Sequence, residues 1–460
     1  MDDLVDRATT AVPGMAVGRS DLGPDEGPQH GPDEGPVRHA LLPMTAEVQK
    51  DGSLAVGGVG LIELAERFGT PLFVYDEEHL RARCREAVSA WGDGVAYATK
   101  AFLCLAMARL AHEEGMLLDV STGGELHVAL SAGVPAAHLV LHGNNKSDHE
   151  LARALDAGVG RVVIDSFDEI ERLARLTALP SGASGRQAVM IRVTPGVEAH
   201  THDFVRTGQE DSKFGFGLAS GAAAEAVARV RALPGLDLVG VHAHIGSQVF
   251  RVDSFAKEVE ALAGFFAPLG LGELCVGGGL GVPYVAGETA PSISQWAQTV
   301  HSACRSAGIP ADTRVTAEPG RSIVAAAGVT LYRVGTIKEL PGLRTYVAVD
   351  GGMSDNPRPV LYGSGYETFL PREAAAPRPR PARVVGKHCE SGDVVVADAR
   401  LPADVAVGDV VATPVTGAYG YSMASNYNKV PRPGVVFVTD GGARVVVRRE
   451  TDDDLTRLDR

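Results

Sequence analysis

Cysteine is scarce: five residues in 460, at 84, 104, 275, 304 and 389, with no CxxC spacing. An odd number without that spacing excludes a disulfide framework or a thiolate zinc cluster and suits a reducing compartment. Cys84, Cys104, Cys275 and Cys304 read as buried apolar filler. Positive charge is also short. Lys and Arg number 43 against 57 Asp and Glu, a formal net charge of −14, which excludes phosphate-backbone binding as the main role. No apolar run reaches the roughly 18 residues of a membrane span. The opening Met-Asp-Asp-Leu-Val-Asp-Arg lacks the apolar core of a secretory leader. A cytoplasmic protein without nucleic-acid or membrane partners is expected.

What is present, 45% hydrophobic and 22% charged residues, is the balance of a globular chain of two or three domains. Residues 1–44 are the exception. Gly-Pro-Asp-Glu-Gly-Pro stands at 23–28 and again at 31–36, and a tract of this kind cannot bury apolar surface, so a disordered tail is predicted. From 94 onward short apolar runs end in polar or glycine-rich turns, at 94–100, 117–121, 139–144, 161–166, 189–195, 238–247, 273–279 and 314–320. Helix-period segments lie between them, such as 103–114, 149–156 and 167–176. This alternation predicts a (β/α)8 barrel over 76–325, with a doubly wound open sheet as the rival. Beyond 326, Val-rich runs between Gly, Pro and Asp turns predict an all-β domain to 460. The segment 45–75 is expected to begin with a strand of that same β-domain.

In an α/β barrel, catalytic groups sit at the C-terminal ends of the strands. The first run ends in Tyr97-Ala98-Thr99-Lys100 and the sixth in His242-Ala243-His244-Ile245-Gly246-Ser247. The seventh ends in Gly277-Gly278-Gly279 and the eighth in Glu318-Pro319-Gly320-Arg321. Taken singly, each has an ordinary reading: a solvated lysine, a glycine turn, a type II turn, two core histidines. Their convergence on one mouth is what carries meaning. Consecutive glycines let backbone N–H groups approach a phosphate, and Ser247 adds a hydroxyl. Lys100 can form a Schiff base with a carbonyl. Glu318 can stay ionised beside a protonated ring nitrogen, and His244 can stack on a ring. Together these describe a site for pyridoxal phosphate acting as electron sink.

The strings YATKA, HIGSQ, GGGLG, EPGR and CESGD, with HGNNKS at 142–147, GVEAHTHDF at 196–204 and SKFGF at 212–216, resemble those of the diaminopimelate decarboxylase family. That family has the alanine-racemase-like fold type III of pyridoxal-phosphate enzymes, and the likeness spans about 60 to 450. The resemblance implies covalent attachment of the cofactor at Lys100 and stacking by His244. It places Ser247, Gly277, Gly278, Gly279, Gly320 and Arg321 near the phosphate, Tyr419 beside the cofactor, and Glu318 at the pyridine nitrogen. A racemase of the same fold would be expected to have an arginine there instead. The resemblance also implies a homodimer with composite sites, in which Cys389 of a neighbouring subunit returns a proton to the substrate carbon.

Diaminopimelate carries an ammonium and a carboxylate at its non-reacting end. Arg321 and Arg358 can hold that carboxylate by charge-assisted bonds, Glu390 can pair with the ammonium, and Tyr362 and Tyr419 can supply hydroxyls. The expected reaction is therefore decarboxylation of meso-2,6-diaminopimelate to L-lysine and CO2, the last step of lysine biosynthesis. The rivals are a same-fold decarboxylase of ornithine, lysine, arginine or a carboxylated polyamine, a non-enzymatic pyridoxal-phosphate binding protein, and a sugar-phosphate isomerase. Asp119 and Arg192 also end strands at the mouth and are expected to support the site. His200 and His202 resemble a metal pair, but no carboxylate or cysteine cluster accompanies them, so no metal is expected.

Overall fold

The computed structural model describes residues 35–178, 185–197 and 212–460. The first 34 residues of the expected tail lie outside these, as do His200 and His202. Eight parallel strands form the barrel: β1 (Ala96–Ala98), β2 (Leu117–Val120), β3 (Leu139–Leu141) and β4 (Arg161–Ile164), then β5 (Gln187–Thr194), β6 (Leu236–Ala243), β7 (Glu273–Cys275) and β8 (Arg314–Thr316). Each pairs with its neighbour in sequence, as right-handed βαβ connections require. The cylinder closes by backbone bonds: Ala96 N–H donates to Ala317 O at 3.0 Å and Ala98 N–H to Pro319 O at 3.1 Å. Closure decides against the open sheet.

Strands buried on both faces read as continuous apolar runs, which is why this pattern was legible. Most are shorter than their sequence runs because glycine and proline end the ladder and release the C-terminal motifs into loops. The helices between them start on local caps. Ser147 and Glu150 form a reciprocal capping box on the helix Asp148–Ala157, which stops at Gly158 with φ of 75°. Ser166 caps Phe167–Thr177, and Ser292 with Gln295 caps Ile293–Ser306.

The second domain is built around the 13-residue strand Gly328–Leu340. It pairs antiparallel with Arg344–Val349, Val410–Pro414 and Leu72–Asp76. Leu72–Asp76 in turn lies parallel to Gly434–Thr439, with Phe73 opposite Val435. The segment before the barrel therefore supplies an interior strand to the C-terminal sheet, and that strand is its end rather than its beginning. Residues 47–60 instead form a small three-stranded sheet of their own, whose Leu54 and Val56 pack with Val329, Leu331 and Val436. The folded region also starts earlier than 45. Val37, Leu41 and Leu42 are buried: Val37 and Leu42 join the β-domain cluster around Leu54 and Val329, and Leu41 joins the larger cluster that holds the barrel core.

The two domains meet where backbone passes backbone. A Cβ on Gly417 would lie 1.9 Å from Val324 O, and one on Gly328 would lie 2.4 Å from Gly417 Cα. Gly417 N–H donates to Ala325 O at 3.1 Å, and the Tyr75 hydroxyl donates to Gly417 O at 2.8 Å. Two residues on, Tyr419 N–H donates to Ala101 O at 2.8 Å, which fixes this loop over the end of β1. We expect Gly417→Ala to cost about 1–3 kcal/mol by overpacking. A thermal melt should show the loss, and an unchanged midpoint would mean that the crossing can relax.

Candidate active site

The mouth of the barrel holds a cavity of about 400 Å³, a size suited to a small-molecule ligand. Lys100, His244, Ser247, Gly278, Gly279, Glu318, Gly320, Arg321 and Tyr419 line it, as do Asp119 and Arg192. Lys100 sits on a tight turn, Thr99–Ala101, fixed from several sides. Thr99 Oγ1 donates to Asp119 O at 2.8 Å, and the Tyr97 hydroxyl donates to Phe102 O at 2.6 Å. The amine reaches into the cavity. Its surroundings oppose its charge by desolvation, but Asp119, Tyr419 and Glu318 outweigh that and raise its pKa.

Glu318 follows β8 and faces two imidazoles. His242 Nε2 makes a hydrogen bond of 2.9 Å to Oε2. His142 Nε2 lies 2.9 Å from Oε1 in an ion-pair contact without hydrogen-bond alignment, and 3.8 Å from Asp119 Oδ1. Burial alone would raise the Glu318 pKa, but His142 and His242 hold it well below the carboxylate range. Burial pushes Asp119 the other way, up to about 6, with His142 opposing. His244 is kept neutral by burial and by the nearby Lys100. Its Nδ1 accepts from Gly278 N–H at 3.2 Å, so the ring proton is on Nε2.

The opposite wall is glycine for a steric reason. A Cβ on Gly278 would lie 2.3 Å from Glu318 O, on Gly279 2.1 Å from Gly246 O, and on Gly320 2.9 Å from Ala98 O. Only bare backbone lets these loops meet. Gly277 does not line the cavity; its φ of 63° and its carbonyl, which accepts from Glu318 N–H at 2.7 Å, make it the joint between β7 and β8. Beside this wall Arg321 donates to Ser247 Oγ at 2.9 Å, and its Nε is buried without a partner. A hydroxyl and bare glycine backbone suit a phosphate, and a guanidinium with an unused donor suits a further anionic group. With an ionised carboxylate and an amine across the same cavity, the residues fit pyridoxal phosphate.

Two tyrosines at this edge had no assigned role. Arg321 donates to the Tyr284 hydroxyl at 2.7 Å, and Arg358 lies 4.1 Å over the Tyr284 ring while donating to Tyr366 at 2.5 Å. Tyr284 stands between the two arginines expected to act together, and its place after GGGLG was the available signal. Arg358 is buried behind it, outside the cavity lining. Tyr362 is half-buried at the end of the short helix Arg358–Tyr362 and also does not line the cavity. Tyr419 has a left-handed φ of 58° and lies under Arg321 at 4.7 Å. Such an outlier in a non-glycine residue is held by its surroundings.

Cys389 and Glu390 are exposed and do not line the cavity of their own chain. Their turn is shaped by buried Asp393, which accepts from Met353 N–H at 2.6 Å and His388 N–H at 2.8 Å. His142 opens HGNNKS, where nothing local marks it, and its part emerges once β3 and β8 are placed. In the same motif Lys146 is buried and donates to Glu169, Gly143 O and Val163 O, each at 2.7 Å. Arg192 pairs with Asp165 at 3.6 Å and stacks over Phe214 of SKFGF at 4.3 Å. Cys84, Cys104, Cys275 and Cys304 are buried. His142, His242 and Glu318 are the one group of three potential metal ligands among the described residues, and they are already engaged with one another.

A family model described as "Pyridoxal-dependent decarboxylase, pyridoxal binding domain" matches residues 77–325. A diaminopimelate decarboxylase of Actinosynnema pretiosum is 50% identical over 91% of this chain and 94% of its own. The one from Mycobacterium tuberculosis is 48% identical over 89% of this chain and 95% of its own. The crystal structure of diaminopimelate decarboxylase from M. jannaschii in complex with L-lysine has a TM-score of 0.83 at 32% identity, covering 91% of this chain and 98% of that one.

Lys146 and Glu169 are a buried ion pair beneath the mouth, and losing one partner strands the other. We expect Lys146→Met to cost about 3–5 kcal/mol. The double change Lys146→Met, Glu169→Leu should cost clearly less. Denaturant midpoints distinguish the two, and equal losses would argue against a stranded charge.

Proposed function

This chain belongs to the pyridoxal-dependent decarboxylases and, within them, to the diaminopimelate decarboxylases, and on that premise we propose how its residues divide the work. It converts meso-2,6-diaminopimelate to L-lysine and CO2, with pyridoxal phosphate as cofactor, in lysine biosynthesis. The observation that carries the assignment of residues is a lysine amine and an ionised glutamate lining one cavity with a glycine wall. When bound, the cofactor supplies a conjugated ring that takes up the electron pair left as CO2 departs.

Lys100 would hold the cofactor, with Ser247, Gly278, Gly279, Gly320 and Arg321 around its phosphate. His244, uncharged, offers its ring face for stacking. Glu318 stays anionic and so would favour a proton on the ring nitrogen of the bound cofactor. Arg321 and Arg358, joined through Tyr284, set the positive end for the distal carboxylate. A substrate without that carboxylate, such as ornithine, leaves this positive end without a counter-charge, which disfavours it.

Cys389 and Glu390, exposed here, are proposed to complete the cavity of a second copy. The working form is then a cytoplasmic homodimer, with the thiol returning a proton to the substrate carbon. Among the described residues no helix is long and apolar enough to cross a membrane.

Lys100→Ala should lose both visible absorbance and CO2 release, and Cys389→Ser should lose most turnover. Mixing the two variants should restore part of the activity by forming one intact site; no recovery would count against composite sites. Arg358→Gln should raise KM for diaminopimelate roughly 10–100-fold, the scale of a charged hydrogen bond, with a smaller effect on kcat. Unchanged KM would remove Arg358 from substrate recognition.

A further inference from the structure

The Glu318 carboxylate is buried, and its two oxygens are met by different kinds of contact. His242, on β6, makes an aligned hydrogen bond to Oε2 at 2.9 Å. Its other ring nitrogen, Nδ1, is buried without a partner. A second proton there would be a buried donor with nothing to accept it, so His242 is neutral. Burial accordingly brings its pKa down to about 4, against the pull of Glu318.

His142, at the end of β3, differs. Its Nε2 stands between two carboxylates, 2.9 Å from Glu318 Oε1 and 3.8 Å from Asp119 Oδ1. The Asp119 oxygen has no hydrogen-bond partner of its own. One positive charge in this gap offsets two buried negative ones. Burial disfavours the imidazolium, but Asp119 and Glu318 outweigh it and raise the His142 pKa.

We propose that His142 is a positioning residue whose positive charge keeps Glu318 ionised and aimed into the cavity, while His242 only orients the carboxylate through a neutral hydrogen bond. The inference rests on the decarboxylase reading, because it concerns how Glu318 meets the cofactor's ring nitrogen. The other charged and titratable groups around this cluster include Lys100 after β1, Glu125 after β2, Arg192 on β5, His244 after β6 and Cys275 on β7. Tyr419 reaches in from the β-domain. Lys100 and Arg192 add positive potential, but neither lies as an ion pair between Asp119 and Glu318 as His142 does.

Removing a positive charge beside a carboxylate raises that carboxylate's pKa, so the proton shared around Glu318 should be held to higher pH. The test is a pH titration of the visible absorbance of the holoenzyme, in the wild type and in three variants. His142→Gln keeps a donor of similar shape without charge, and His142→Leu removes both. Each should move the titration up by about one pH unit, a tenfold change in proton affinity. His242→Gln should leave it near the wild-type position, since it replaces one neutral donor with another. Should the leucine variant fail to fold, the two glutamine variants alone carry the comparison. A titration unmoved in His142→Gln, or moved equally in His242→Gln, overturns the proposal. A wild-type holoenzyme with no visible band would instead overturn the decarboxylase reading, and this inference with it.

Discussion

The molecule depends on one seam. The first and last barrel strands join through Ala96 to Ala317 and Ala98 to Pro319, which brings the two ends of the barrel sequence together. The seam brings the turn bearing Lys100 beside the loop bearing Glu318 and Gly320. It is tight enough that a Cβ at Gly320 would strike Ala98. Closing the sheet on itself is thus what brings an amine and a carboxylate into the lining of one cavity.

Around that seam the strands contribute charges of both signs. Asp119 comes from β2, His142 from the end of β3, Arg192 from β5 and Glu318 from the loop after β8. None is far from a partner of opposite sign, which is what makes so many ionisable groups tolerable in a buried place. A hydrophobic core of the same shape would be easier to stabilise. The polar one selects the protonation state of each member, and with it the chemistry of the cavity.

Much of this was legible in the chain itself, and the reason is local. A parallel strand buried on both faces is a short apolar run, so the barrel strands stood out, and their C-terminal loops carried the lysine, glycines and glutamate. The contributions that stayed hidden are those made by residues whose meaning depends on distant partners. Leu72–Asp76 reads as a strand, but nothing in its period says that it sits between strands that follow the barrel. Tyr284 and Tyr366 become informative only when two arginines are found against them. His142 has the same history. Val37, Leu41 and Leu42 are too few to show an apolar period, so the start of the folded region was placed too late. Gly277, expected with its neighbours near the phosphate, does not line the cavity, and its left-handed backbone carries the chain from β7 toward the β8 loop instead.

The interior placement of Leu72–Asp76 also bears on how this protein is born. The strand is synthesised before the barrel, yet its parallel partner Gly434–Thr439 is synthesised only after it. Its contacts span nearly the whole chain, so they raise the contact order and come late in folding. The loop of Tyr419 lies in that same late portion. A nascent chain therefore holds every strand of its cylinder before the loop of Tyr419 exists, and the chamber is finished only once the β-domain has followed the barrel.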